Sequence, residues 1–435
     1  LLRARQVRHA NRGTGKAGVL LAGGDDMHRL RLRHLLQSAV AAAADWYDWH
    51  LSVTAFRSRY AFASRAVLRL FSARGLSYHG LVRSPPLRRG RTRFHREARL
   101  LVFLQYIRDR LKATFLEPGS AFCVTSLFAA LCVAIVVVMI RRRRSGKPIG
   151  PGALARALFP VRLLANASLY ADLVYFVFNT MIFTLIASAL LGWTMLSSVA
   201  VSKWIQGWLG SLFAASAHPA FSGPTSRAIL TLALFLAYEL GYWLDHFTSH
   251  RIPFFWEIHR VHHSAEVLTP LTIYRQHPVE SLKFHNFLAL SNGVVGGVTT
   301  FLLGSGVSGY QIGKTNLILA LFIHLYVHLQ HTSIWIAFPG KLGHLLMSPA
   351  HHQIHHSRNP VHFNKNLGSC VTLFDWLFGT LHVPSRQPEK LRFGVEPDEP
   401  DVHKRLFVTP VIRAFATLRR RRQDQAMIDN RSERV

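Results

Sequence analysis

A chain of 435 residues is long enough for two or three soluble domains, or for one polytopic membrane domain with tails. Apolar residues make up 49% of it and its mean hydropathy is positive, which favours the membrane. A formal charge of +30 first suggests nucleic acid, but Lys and Arg also gather on cytoplasmic loops beside anionic headgroups, so no nucleic-acid partner is expected. Cys123, Cys132 and Cys370 form no C-x-x-C pair, which argues against a disulfide scaffold, a zinc knuckle or an iron–sulfur cluster.

Residues 1–115 hold 23 of the 52 Lys and Arg in Ala- and Leu-rich sequence with little sustained period. They read as a basic, poorly ordered extension, or as sequence upstream of the true start, the first Met being Met27. Residues 116–164 carry a first span, Ala121–Ile140, capped by Arg141–Arg144 and followed by a Gly/Pro-containing linker. Leu169–Leu191 is a second span. Trp193–Ala215, with Trp204 and Trp208 four apart, reads as an amphipathic interfacial helix. Ala228–Leu244 is the third span and runs directly into Asp245 and His246. Phe284–Leu303 and Ile312–Leu329 form an apolar hairpin out and back around Gly304–Gly309. Residues 386–435 are a basic, polar tail with Arg419–Arg422.

The predicted fold is all-α: a polytopic bundle of about four to five spans with a histidine-rich cap. Crossings counted from Arg141–Arg144 place every histidine group on one side, and Arg251, Arg260, Arg275, Lys283 and Arg358 make that side cytoplasmic. Five spans would leave the basic N-terminal segment outside, so either that segment is not native or Ala121–Ile140 does not span.

Histidine carries the chemistry. His246 and His250 stand four apart; His259, His262 and His263 form H-x-x-H-H; His352, His355 and His356 repeat it. Residues three and four apart share a helical face, so each group can present several imidazoles to one point. Neutral imidazole is the commonest protein ligand for iron, zinc and copper. A single such residue is usually a hydrogen-bonded or surface histidine, but that reading does not explain two H-x-x-H-H copies. These groups can hold two divalent ions, and composition alone leaves iron, zinc and manganese open.

The pieces His246–His250, Trp256–Ser264, Thr272–Glu280, Ser348–His356, Asn366–Gly368 and Phe374–Thr380 occur in order. Together they resemble the fatty acid hydroxylase/sterol desaturase superfamily across roughly residues 165–385. The resemblance implies an integral membrane, non-haem di-iron oxidoreductase for lipid biosynthesis, with two iron ions as cofactor and O2 as co-substrate. Hydroxylation or desaturation of a sterol-like or fatty acyl lipid would follow. Matched residue by residue, it implies metal ligation by His246, His250, His259, His262, His263, His352, His355 and His356. His331, before Thr332 on the returning segment, and His328, one turn earlier, are added as ligands. His277 is either a ligand or a residue supporting one. Glu239, Asp245, Glu257 and Asp375 are candidates to orient the imidazoles, each equally readable as a salt-bridge partner. Arg260 and Arg275 would pair with them or dock an acidic electron donor. No haem, flavin or ferredoxin signature is present, so electrons should come from a separate b-type cytochrome or ferredoxin with its reductase. Two rivals remain. A histidine-rich metal transporter or sensor would place its ligands at the bilayer midplane, and a zinc hydrolase would need H-E-x-x-H where this chain has H-F-T-S-H.

Overall fold

The computed structural model describes residues 89–186, 197–213, 223–304, 306–338, 340–395 and 407–432. Most of what is expected of the basic N-terminal extension therefore lies outside the described residues. Among the described residues the architecture is all-α, with one two-residue hairpin, β1 (Gln311–Ile312) and β2 (Thr315–Asn316), at a turn. In chain order the helices are α1 (Arg89–Phe115), α2 (Val124–Arg144), α3 (Pro151–Leu158), α4 (Ala167–Val177), α5 (Ser198–Phe213), α6 (Gly223–Arg251), α7 (Pro253–His263) and α8 (Pro278–Leu303). They continue with α9 (Leu317–Leu325), α10 (Val327–Gln330), α11 (Pro349–His355), α12 (Leu373–Leu377) and α13 (Val408–Ser432).

Three of these, α2, α6 and α8, are long and apolar enough to cross a membrane. At about 1.5 Å per residue each exceeds the roughly 30 Å of a hydrocarbon core. The chain is an integral membrane protein. A shorter apolar segment, Ala167–Phe183, covers the described part of the second expected span. Its last turn, Phe178–Phe183, is a π-helix, which leaves carbonyls available. The Tyr106 hydroxyl of α1 donates to Met181 O, and Arg110 Nε donates to Thr180 O at 3.0 Å. Those bonds fix the end of α1, which its weak period did not announce.

One further segment differs from its expected form. Ile312–Leu329 is not one returning span: Tyr326 (φ −155°, ψ 3°) breaks it into α9 and α10, which together reach only about 20 Å. The Tyr326 hydroxyl donates to Cys370 O at 3.2 Å, so the break is tied to the cap. The expected interfacial helix, α5, packs lengthwise against α8. A Cβ on Gly293 would lie 2.5 Å from Val201 Cβ, and one on Gly297 2.7 Å from Ile205 Cβ. The two glycines, four apart on one face of α8, let the backbones approach, as small residues do between membrane helices. Gly297→Leu is therefore expected to destabilise the bundle by about 1–3 kcal/mol. Gly210→Ala, which meets nothing within 4 Å, should leave the thermal midpoint in detergent unchanged.

Candidate metal centre

The histidines converge because three helix segments end at one place. The last turns of α6 carry His246 and His250. Pro253 at the start of α7 turns the chain sharply, and α7 then presents His259, His262 and His263. Ser348 caps α11, accepting from His351 N and followed by Pro349, so the second H-x-x-H-H also starts a fresh helix. His331 follows α10 directly.

Nine histidines form two groups. His246, His250, His259, His263 and His355 make the first; His262, His331, His352 and His356 make the second. Within each group the candidate ligand nitrogens all lie within 4.8 Å of one another. Each H-x-x-H-H motif is divided between them. In α7 the i, i+4 pair His259/His263 serves the first group, while His262 serves the second. In α11 the pair His352/His356 serves the second group, while His355 crosses to the first. Helix geometry permits this split, since i and i+4 lie about 40° apart but i+3 and i+4 about 100° apart, and the positions of the partner helices decide it. Rings of the two groups also touch: His263 stacks on His356 at a centroid separation of 4.6 Å.

The nitrogens suit ions. Nε2–Nε2 separations are 3.1 Å for His259/His263, 3.3 Å for His262/His331, 2.9 Å for His331/His352 and 3.1 Å for His352/His356. Two imidazoles on one ion at about 2.1 Å, roughly 90–110° apart, would stand about 3.0–3.4 Å from each other. The Nε2 atoms of His246, His250 and His355 are buried without a hydrogen-bond partner, a cost that bonding to a cation removes. On the far side of three rings the proton is fixed. His246 Nδ1 donates to Leu367 O at 2.8 Å, His355 Nδ1 to Lys365 O at 2.9 Å, and His259 Nδ1 to the Glu280 carboxylate. Such bonds orient an imidazole and raise its basicity toward a metal.

Burial also keeps the rings neutral. His259, His262 and His355 are each pushed down to about 3, with loss of solvation the largest cause. His263, His331, His352 and His356 are held well below the ordinary value, first by burial and then by neighbouring imidazoles. Every one of these groups offers a lone pair at neutral pH.

The loop after α11 is built to present carbonyls. Asn366, at φ 57°, donates from Nδ2 to His351 O (3.1 Å) and His382 O (2.9 Å) and accepts from His382 N at 2.7 Å. Asp375 accepts from Leu367 N (2.8 Å), Gly368 N (2.7 Å), Thr380 Oγ1 (2.5 Å) and Trp243 Nε1 (3.4 Å). A Cβ on Gly368 would sit 2.9 Å from Asp375 Oδ2, so only glycine fits there. Asp375 thus acts on the histidines through Leu367 O and its neighbours.

Other expected participants stand elsewhere. His328 belongs to neither group: its Nε2 lies 3.2 Å from Ser126 Oγ of α2 and its ring packs edge-on against Phe122. A fourfold rather than fivefold second group follows. His277 is also outside both groups, with Nδ1 accepting from Val279 N and Nε2 donating to Phe407 O. Glu239 accepts from Cys370 N and Val371 N, Asp245 pairs with Lys283 at 2.7 Å, and Glu257 pairs with Arg260 at 3.0 Å. These three carboxylates are thus engaged by backbone N–H groups, a lysine and an arginine rather than by an imidazole of either group. Arg275 is fully buried rather than facing a partner. It donates to Val261 O (2.9 Å) and Ser264 Oγ (2.8 Å) at the end of α7 and pairs with Asp172 at 3.0 Å, clamping the ligand helix to α4. Glu280 and Trp256, which packs against His250 and His263, were not singled out by sequence; both lie within the motif pieces, where the E of H-P-x-E was the available signal.

Residues 231–380 match the family model described as Fatty acid hydroxylase, an interval that contains all nine grouped histidines, Glu280 and Asp375. The chain is 28% identical over 204 residues to the alkylglycerol monooxygenase of Danio rerio, covering 46% of this chain and 39% of that protein. It is 28% identical over 164 residues to the alkylglycerol monooxygenase of Homo sapiens (37% and 32%). To the ornithine lipid hydroxylase OlsE of Rhizobium tropici it is 26% identical over 167 residues (38% and 45%). The chain therefore spans less than half the length of these curated relatives. No solved structure matches it.

Two outcomes follow. Asp375→Asn cannot accept from both loop N–H groups, so metal affinity measured by competition with a chelator should fall about 10–100-fold. Because the folded-state values cited above lie below the ordinary imidazole value, protons favour the unfolded chain below about pH 6.5. The metal-free protein should lose thermal stability steadily as the pH is lowered from 7 towards 4.

Proposed function

We propose, from the match of residues 231–380 to the fatty acid hydroxylase family model, that this chain is a membrane-bound oxidoreductase that hydroxylates a lipid using two iron ions and O2. The carrying observation is the division of nine desolvated, neutral histidines into two adjacent groups whose nitrogens stand at ligand-to-ligand separations. His246, His250, His259, His263 and His355 would hold one ion; His262, His331, His352 and His356 would hold the other. When bound, the ions supply the redox chemistry that no side chain here can. In the net reaction a C–H bond, O2, two electrons and two protons become a C–OH group and one water.

The chain's own contribution is placement. His246 and His250 lie at the end of the candidate span α6, and the other imidazoles gather beside them, so a lipid can keep its tail in hydrocarbon while one carbon reaches the cap. Neutral nitrogen ligands would leave bound ions their full charge. Trp256 covers one side of the first group and limits water there. Hydroxylation is favoured over desaturation because the relatives bear the names of a monooxygenase and a hydroxylase. The lipids in those names, alkylglycerol and ornithine lipid, point to an amphiphile with its polar end at the interface. The histidine side is assigned to the cytoplasm. Arg141 at the end of α2 donates to Trp335 O, and Trp335 packs on Ala350 and Ile354 of α11, so the Arg141–Arg144 run lies on that same side. Electrons come from an external b-type cytochrome or ferredoxin with its reductase.

Protein purified in lipid should carry two irons per chain and consume O2 only when reduced donor and its lipid are both present. The product should be heavier by one oxygen atom, and zinc in place of iron should restore nothing. Turnover with zinc alone would move the protein to hydrolysis. His331→Ala should lose one metal per chain, whereas His328→Ala should retain both, as read by elemental analysis.

A further inference from the structure

The C-terminal helix α13 reads as a polar tail in sequence, yet the structure docks it on the ligand helix α7. It begins against the apolar segment Ala167–Phe183. Phe407 packs against Tyr175 and Phe178 at centroid distances of 4.9 and 4.5 Å, and its carbonyl accepts from His277. Phe178 lies eleven residues, or about 16 Å, along the α4 segment from Ala167, whose end adjoins the cap through Ser168 and Arg275. Further on, Phe415 meets Phe254 at the start of α7.

The faces of α13 are sharply divided. Pro410 and Ala414 are buried, whereas Val408, Ile412, Phe415 and Leu418 are 67%, 62%, 54% and 40% exposed. These four repeat at helical spacing and make one apolar stripe about three turns long. The neighbouring α4 likewise exposes Tyr170, Leu173 and Val177, so both helices turn apolar surface outward where they meet. Immediately after the stripe comes Arg419–Arg422, of which Arg419 and Arg420 are exposed. An apolar stripe that starts beside an apolar helix and ends in cations fits a bilayer surface better than water or an acidic protein.

We propose that α13 is a membrane-surface helix, its stripe seated among acyl chains and its arginine run on anionic phosphate headgroups, holding α7 and its three histidines against the bilayer. The test labels Ile412→Cys with an environment-sensitive fluorophore, in a Cys132→Ser background, and Phe415→Cys serves as the second site. The full chain is placed in nanodiscs of phosphatidylcholine, with or without phosphatidylglycerol. Both labels should emit at short wavelength, be quenched by lipids carrying a nitroxide on the upper acyl chain, and resist aqueous iodide. Phosphatidylglycerol should strengthen the acyl-chain quenching, and Arg419→Gln with Arg420→Gln should abolish that dependence while leaving the helix inserted. Iodide quenching at both sites in both membranes would overturn the proposal and assign the stripe to a protein partner. Insertion that ignores phosphatidylglycerol in the unmodified arginine background would overturn the anionic-headgroup assignment.

Discussion

A buried imidazole nitrogen must be bonded to something, and this fold gathers nine such rings in one small volume. Hydrogen bonds between rings cannot satisfy them all. His352 Nε2 faces both His331 Nε2 and His356 Nε2, yet a neutral ring has only one proton to give. Protonating the rings would crowd like charges where solvent is excluded, and burial opposes it. Cations resolve both difficulties at once. The binding of metal and the integrity of the cap are therefore one problem, as they are wherever ligands are assembled only by folding.

Much of the remaining structure can be read as the means of keeping those rings in place. The close α5–α8 and α6–α8 contacts set the helix ends from which the cap is built. Arg275 and Asp172 tie the end of α7 to α4, so the helix carrying three histidines is held from below. The loop 364–380 is organised around Asn366 and Asp375, and through it the carbonyls of Lys365 and Leu367 reach rings that belong to the first group. The second group has fewer such supports: Nδ1 of His331, His352 and His356 has no hydrogen-bond partner. The two histidine groups are therefore supported unequally, and ions held by them would differ in their surroundings.

The sequence disclosed which histidines gather more fully than it disclosed how the helices bring them together. Eight histidines at i, i+3 and i+4 spacings, together with His331, were legible because helical periodicity constrains which side chains can converge. How each H-x-x-H-H is divided was not, since that depends on where the partner helices stand. His328 shares its helical neighbourhood with His331, but the break at Tyr326 and the end of α10 turn the two apart, and Ser126 takes His328. Hydropathy found the long helices and overextended the return through 312–329, where apolar composition hides a kink. The C-terminal segment looked polar because its arginines dominate its average, while its apolar residues are confined to one stripe. Glu280 was hidden by distance along the chain: it follows His259 by twenty-one residues and meets it only when α8 packs beside α7.

The most direct measurement is anomalous diffraction at the iron edge from crystals of iron-loaded protein. Two peaks are expected, one enclosed by Nε2 atoms of His246, His250, His259, His263 and His355, the other by ring nitrogens of His262, His331, His352 and His356. A single peak, or a peak bonded to His328 or His277, would contradict the division of the histidines into two centres.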